Sequence, residues 1–124
     1  MEFVDKHSIQ NPSNSPFLDW IKNKDKMYEG RLKIKIKEWN LCIGKEIIFF
    51  DQLNPDSWAW VRVTSLHTFG DFGEAFDVLG SKLIPDRTRD QVVGLYDGLF
   101  GEVAIKAHGV VVIGFELVDS SPKL

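Results

Sequence analysis

Cysteine is almost absent from this 124-residue chain, where Cys42 stands alone. That excludes an internal disulfide and leads us to expect a reducing, intracellular compartment, cytoplasmic or nuclear. With Leu41 before it and Ile43 after it, the thiol is expected in the interior as a structural residue. No apolar run approaches the roughly 18–20 residues of a membrane span. The longest, such as Gly109 to Phe115, has strand length, and no membrane partner is expected. The N-terminus carries Glu2 and Asp5 in place of the apolar core of a signal peptide. Histidine is scarce as well: His7, His67 and His108 are scattered and, with one cysteine, give no zinc spacing, so no metal is expected. Neither GxGxxG nor GxxxxGK[ST] occurs, which removes dinucleotide and P-loop chemistry and leaves no cofactor to expect. GxSxG is missing too. His67 reads as a packing or capping residue before a helix, and His108 as the exposed tip of a hairpin.

What the chain does have is aromatic weight and an uneven charge. Nine Phe, four Trp and two Tyr furnish a core in a length that suits one domain. The net charge of −3 conceals eight Lys/Arg against three acids between residues 22 and 45. Acids dominate from Asp71 to Asp77. Such a dipolar protein can turn one basic face to a polyanion. The same lysines also suit a solvated edge strand that resists aggregation.

In chain order, residues 1–15 read as loosely ordered around Asn11-Pro12-Ser13-Asn14-Ser15. Ser15-Pro16 opens a short helix with the stripe Phe17, Leu18, Trp20 and Ile21. Leu32, Ile34 and Ile36 alternate with Lys33, Lys35 and Lys37, the period of a strand from Tyr28 to Glu38, with a helical turn over 35–40 as the alternative. Gly44 turns into an apolar strand through Phe50; Asn54-Pro55-Asp56-Ser57 reads as a hairpin connection, and Trp58 to Ser65 as its return strand. Asp71, with Glu74 three residues on, caps a helix inward at Phe72, Ala75, Phe76 and Leu79. Thr88 or Asp86 caps another, running to about Tyr96. Gly101 to Ala107 and Val110 to Val118 read as closing strands, with a frayed tail at 119–124. The expectation is an α+β domain: a small barrel of five to six mostly antiparallel strands with about three short flanking helices.

The chemistry concentrates in Lys26-Met27-Tyr28-Glu29-Gly30-Arg31-Leu32. On a strand Glu29 and Arg31 share one face and Tyr28 and Gly30 the other. A turn at Asn23-Lys24-Asp25 would swing Lys26 back toward Glu29. A carboxylate between two cations can orient a ligand or handle a proton. On residues alone the cluster equally suits a surface ion network. Its setting, however, resembles the ASCH domain family of the PUA-like superfamily. A helix (Phe17, Trp20, Ile21) precedes K-x-x-E-x-R-L at Lys26 to Leu32, and Ile43-Gly44-Lys45-Glu46-Ile47-Ile48-Phe49 follows about a dozen residues later. Val61-Arg62-Val63 with His67-Thr68-Phe69 and Phe72, then Val92-Val93-Gly94-Leu95-Tyr96, then Val110 to Leu117 resemble its later segments. The resemblance covers about residues 16–118.

It implies a PUA-like barrel whose cleft holds Lys26, Glu29 and Arg31, and a family regarded as binding RNA or nucleotides. One bacterial branch hydrolyses the acetyl amide of N4-acetylcytidine with a motif Lys and Thr and a later Glu. Of these only the lysine carries over, as Lys26; Glu29 occupies the threonine position, Lys45 the usual aspartate, and Lys24 or Asp25 the glycine before the motif. The leading expectation is therefore an RNA- or modified-nucleotide-binding module. Lys22, Lys24, Lys33, Lys35 and Lys45 would meet phosphates; Lys26, Glu29 and Arg31 would read the base or ribose; and Tyr28, Trp39 or Tyr96 would stack. The alternatives are a hydrolase on acetylated nucleosides or RNA, with Lys26 and Glu29 as its catalytic pair, and a protein-interaction adaptor using Phe69 to Phe76.

Overall fold

In the computed structural model, which describes residues 3–124, five strands form one curled, half-barrel sheet in the order β1-β3-β4-β5-β2. The strands are β1 (Asp5–Ile9), β2 (Tyr28–Leu32), β3 (Glu46–Asp51), β4 (Asn54–Phe69) and β5 (Val110–Ser121). Helices α1 (Phe17–Lys22), α2 (Lys35–Glu38), α3 (Phe72–Leu79), α4 (Arg89–Phe100) and α5 (Glu102–His108) lie between them. β1 runs parallel to β3, and every other pairing is antiparallel. The α+β barrel expected from the sequence is the fold found.

The two long strands build the curl. β4 pairs with β5 from Trp58↔Ser121 to Phe69↔Val110, with register shifts after Trp60 and after Val63. An extra residue at such a point bends a strand and increases its twist. The sheet wraps around Ile47, Phe49, Val61, Val63, Ile113 and Phe115, all buried. α3 and α4 cover β2 on its other face, close enough that a Cβ on Gly30 would lie 2.6 Å from Phe72 Cε1 and 2.9 Å from Tyr96 Oη.

Of the three helix starts read from the sequence, Ser15-Pro16 is corrected by one residue, since α1 begins at Phe17 with Pro16 at its N-cap and no side-chain cap, and the other two are found. Asp71 Oδ1 accepts from Glu74 N at 2.9 Å, and Thr88, not Asp86, caps α4: Gln91 N donates to its hydroxyl at 3.3 Å, while Thr88 N donates to the Gln91 side chain at 2.9 Å. This reciprocal box satisfies two donors that a helix start leaves free.

Several expectations are corrected. Residues 5–9, read as loosely ordered, form β1, because a parallel neighbour on β3 pairs with them; residues 1–2 of that segment lie outside the described residues. The Leu-Ile-Lys alternation does not extend β2 to Glu38. β5 begins at Val110 opposite Leu32, Lys33 N makes one further bond to Gly109 O at 3.0 Å, and beyond it there is no strand to pair with. The chain turns helical instead. Residues 101–107 are helix for a related reason: β5 has β4 on one side and β2 on the other, so the segment cannot form the expected hairpin with β5 and satisfies its backbone as a helix instead. The hairpin turn is Gln52-Leu53 and not 54–57, β5 extends to Ser121 into the supposed tail, and α4 runs on to Phe100. Cys42 is exposed, since in its loop Leu41 alone turns inward.

Glycine substitutions give a test of the packing. Gly30→Ala is expected to lower the unfolding free energy by about 1–3 kcal/mol through overpacking against Phe72 and Tyr96. Gly94, exposed inside α4 with nothing near its missing Cβ, should gain about 0.5–1 kcal/mol as alanine. Urea unfolding of both variants measures the contrast, and equal effects would contradict this packing.

Candidate functional site

Glu29 and Arg31 leave β2 on the same face, and the turn before the strand delivers Lys26 to them. Lys24 adopts a φ of 69°, and the backbone N–H groups of Asp25 and Lys26 both donate to Trp20 O, at 2.8 and 3.1 Å. Lys26 Nζ then lies 4.0 Å from Glu29 Oε1, and Arg31 Nη2 lies 3.3 Å from Glu29 Oε2. The three charges converge as the spacing implied, but they are not equally open. Lys26 is 0% exposed, with Nζ donating to Leu83 O at 2.5 Å and lying 5.5 Å from the centre of the Phe17 ring. Burial lowers its pKa from an ordinary 10.5 to about 8, with the Glu29 carboxylate opposing the shift and Arg31 adding to it.

Arg31 spans the opening between the two edge strands. Its Nη2 donates to Ser8 O of β1 at 3.2 Å, and its guanidinium lies 5.1 Å from the Trp39 ring and 5.8 Å from Phe49. The Trp39 ring stacks on His7 of β1 at 3.7 Å. A cavity of about 170 Å³ lies at this seam, between Ser8, Ile9 and Gln10 on one side and Glu29, Gly30 and Arg31 on the other. Phe17, Gln52, Leu99 and Phe100 line it further, as does Tyr96. Tyr96 is buried and stacks on Phe72 at 3.8 Å, and its hydroxyl finds no hydrogen-bond partner. The Gly30 backbone lies close to that hydroxyl without hydrogen-bonding geometry. Burial, with the charge of Glu29 adding to it, pushes the Tyr96 pKa well above the usual phenol value.

The remaining residues singled out in the sequence separate. Lys24 and Lys33 are exposed. Lys35 pairs with Glu38 at 2.8 Å, and Lys45 is held by Asp5 at 2.7 Å and by the Trp39 carbonyl. Lys22 is buried, donating to Ser57 Oγ at 2.6 Å and Ser121 O at 3.0 Å, so a phosphate-binding role for it is corrected to a structural one. Tyr28 points from the opposite face of β2, beside Gly114, and does not line the cavity. Trp39 is taken up by His7 and Arg31. The cavity wall from β1, with Gln52 and Phe100, carries no local signal in the sequence, because parallel pairing of β1 with β3 brings it there. Among the described residues no three His, Cys, Asp or Glu groups gather to hold a metal, and no helix is long and apolar enough to cross a membrane.

No family model and no curated relative matches the chain by sequence. Solved structures match it in fold. Protein PF0455 from Pyrococcus furiosus superposes with a TM-score of 0.71 at 24% identity, over 94% of this chain and 99% of its own. ASCH from Zymomonas mobilis gives 0.63 at 12% identity, over 93% of this chain and 70% of its own. Protein EF3133 from Enterococcus faecalis V583 gives 0.65 at 17%, over 97% and 79%.

The buried lysine makes stability depend on pH in a definite window. Between pH about 8 and 10.5 the unfolded chain holds the Lys26 proton and the folded chain releases it. Unfolding free energy therefore rises with pH there. The rise reaches about 3 kcal/mol relative to Lys26→Met, taking 1.36 kcal/mol per pKa unit. Urea unfolding of both proteins from pH 7 to 11 measures the difference, and parallel curves would place the Lys26 ammonium in water.

Proposed function

Because the chain has the ASCH-domain fold, we propose that it is an RNA- or modified-nucleotide-binding module that takes its ligand at the seam between β1 and β2. The observation that supports this best is the pair Glu29–Arg31, an acceptor and a multiple donor on one cavity wall, in a lining that also includes Ile9, Phe17, Leu99 and Phe100. Bases are read in this way on single-stranded RNA, by hydrogen bonds to their edges and by apolar contact with their faces. Lys26 is removed from the ligand and acts on it through Glu29, whose carboxylate it flanks. Phosphates fall to Lys33 and Lys37, which form no ion pair with another described residue and share a surface groove with His108 just beyond the end of β2. Lys35 and Lys45, already paired, contribute less.

Catalysis by Lys26 is the weaker reading. A pKa of about 8 suits a nucleophile or base, yet an amine with no exposed surface has no path to a scissile bond.

Binding of a labelled single-stranded RNA across a salt series tests the proposal. Affinity should fall with salt at about −0.7 in log–log slope per phosphate contacted. Lys33→Glu/Lys37→Glu should flatten that slope by about one to two units, whereas Arg31→Ala should cost about tenfold or more with the slope little changed. A flat salt dependence in the unaltered protein would overturn the reading.

A further inference from the structure

We propose that the cavity takes a guanine base, presented singly by a nucleotide or by single-stranded RNA; this rests on the nucleotide-binding reading above and specifies the base. The argument matches donors to acceptors. A carboxylate only accepts, through two oxygens with about four lone-pair sites. Glu29 has Lys26 near one oxygen and Arg31 near the other, which leaves each with capacity for a further donor. Of the four RNA bases, guanine alone has two adjacent donors on its pairing edge, N1–H and the amine at C2, followed by the O6 acceptor. A guanidinium has five donors, and one nitrogen of Arg31 serves both Ser8 O and Glu29. The others remain for an acceptor placed beside the carboxylate, which is where O6 falls.

The other bases leave a mismatch. Adenine and cytosine fill one carboxylate oxygen with their amine and turn a ring-nitrogen lone pair toward the second. Uracil has one N–H between two carbonyls, so an acceptor again faces the carboxylate. An unpaired or opposed polar group in a buried site is what discriminates ligands most strongly.

Size and lining agree with a single base. A cavity of about 150 Å³ accommodates benzene. One of about 170 Å³ at an open seam therefore admits one base, its outer atoms projecting through the opening, and not two. Ile9, Phe17, Leu99 and Phe100 supply apolar surface for its faces.

Calorimetric titration of the full chain with GMP, IMP, AMP, CMP and UMP at low salt tests the assignment with no change to the protein. GMP should bind about tenfold or more tightly than AMP, CMP or UMP. IMP, identical except for the missing C2 amine, should be weaker than GMP by about tenfold or more, the loss of one hydrogen bond to a charged acceptor. Glu29→Gln, checked for folding by circular dichroism, should remove the preference for GMP over IMP. A parallel titration uses oligouridine with and without one central guanosine. If both oligonucleotides bind equally and GMP has no advantage, the guanine assignment falls and RNA binding stands. If GMP binds selectively but the oligonucleotides bind no more tightly, the guanine site stands and the RNA reading falls. Binding of neither overturns both.

Discussion

A five-stranded sheet that curls this far without closing leaves a gap, and the side chain of Arg31 spans it. Backbone pairing stops at β1 on one side and β2 on the other, so each presents unpaired edge groups. Arg31 reaches from β2 to Ser8 O on β1, lies against Trp39 and Phe49, and holds Glu29 beside it. One guanidinium thus joins the barrel's edges, orders the carboxylate, and lines the cavity formed where the ladder is interrupted. Arginine suits this position because its planar fork stacks and donates at once; a lysine would do neither in the same way.

The burial of Lys26 follows from the same arrangement. An ammonium with no exposed surface persists only where it is paired and hydrogen-bonded. Glu29 supplies the charge and Leu83 O the acceptor. Removing one partner of such a buried set generally costs about 3–5 kcal/mol, more than the set contributes as a whole, because the remaining charge stays buried. The triad is therefore weak as a source of stability and strong as a means of fixing the Glu29 orientation. The Leu83 carbonyl ties that orientation to the loop between α3 and α4, so the helical layer and the cavity wall share a fixed reference point.

Much of this was legible from residue order. The K-x-x-E-x-R spacing, with a turn at Asn23 to Asp25, placed three charges together, and the helix caps at Asp71 and Thr88 were readable because capping is local chemistry. Failures came where a segment's fate depends on what lies beside it. Lys33 to Lys37 alternate like a strand but run past the end of β5, and Val103, Ile105 and Ala107 alternate in a stretch whose hairpin partner, β5, already has β4 and β2 on its two sides. Asp5 to Ile9 have no strong pattern, yet β3 recruits them. Burial was also beyond local reading. The same spacing that brought Lys26 to Glu29 gave no sign that Lys26 faces the core while Lys24, two residues earlier, faces solvent.

The parallel pairing of β1 has a consequence in time as well as space. The cavity draws on Ser8 near one end of the chain, on Glu29 and Arg31, and on Phe100 far beyond them, while β2 is held in place by β5, the last strand. Contacts so distant in sequence form late, since loop closure must precede them. No partly folded chain that lacks β1 or β5 has a cavity. A molecule that occupies it binds the completed barrel and not its precursors, and by mass action it draws the population toward closure by RT ln(1 + [L]/Kd). Occupancy of the open seam by any molecule would thus report that β1 and β5 have found their places.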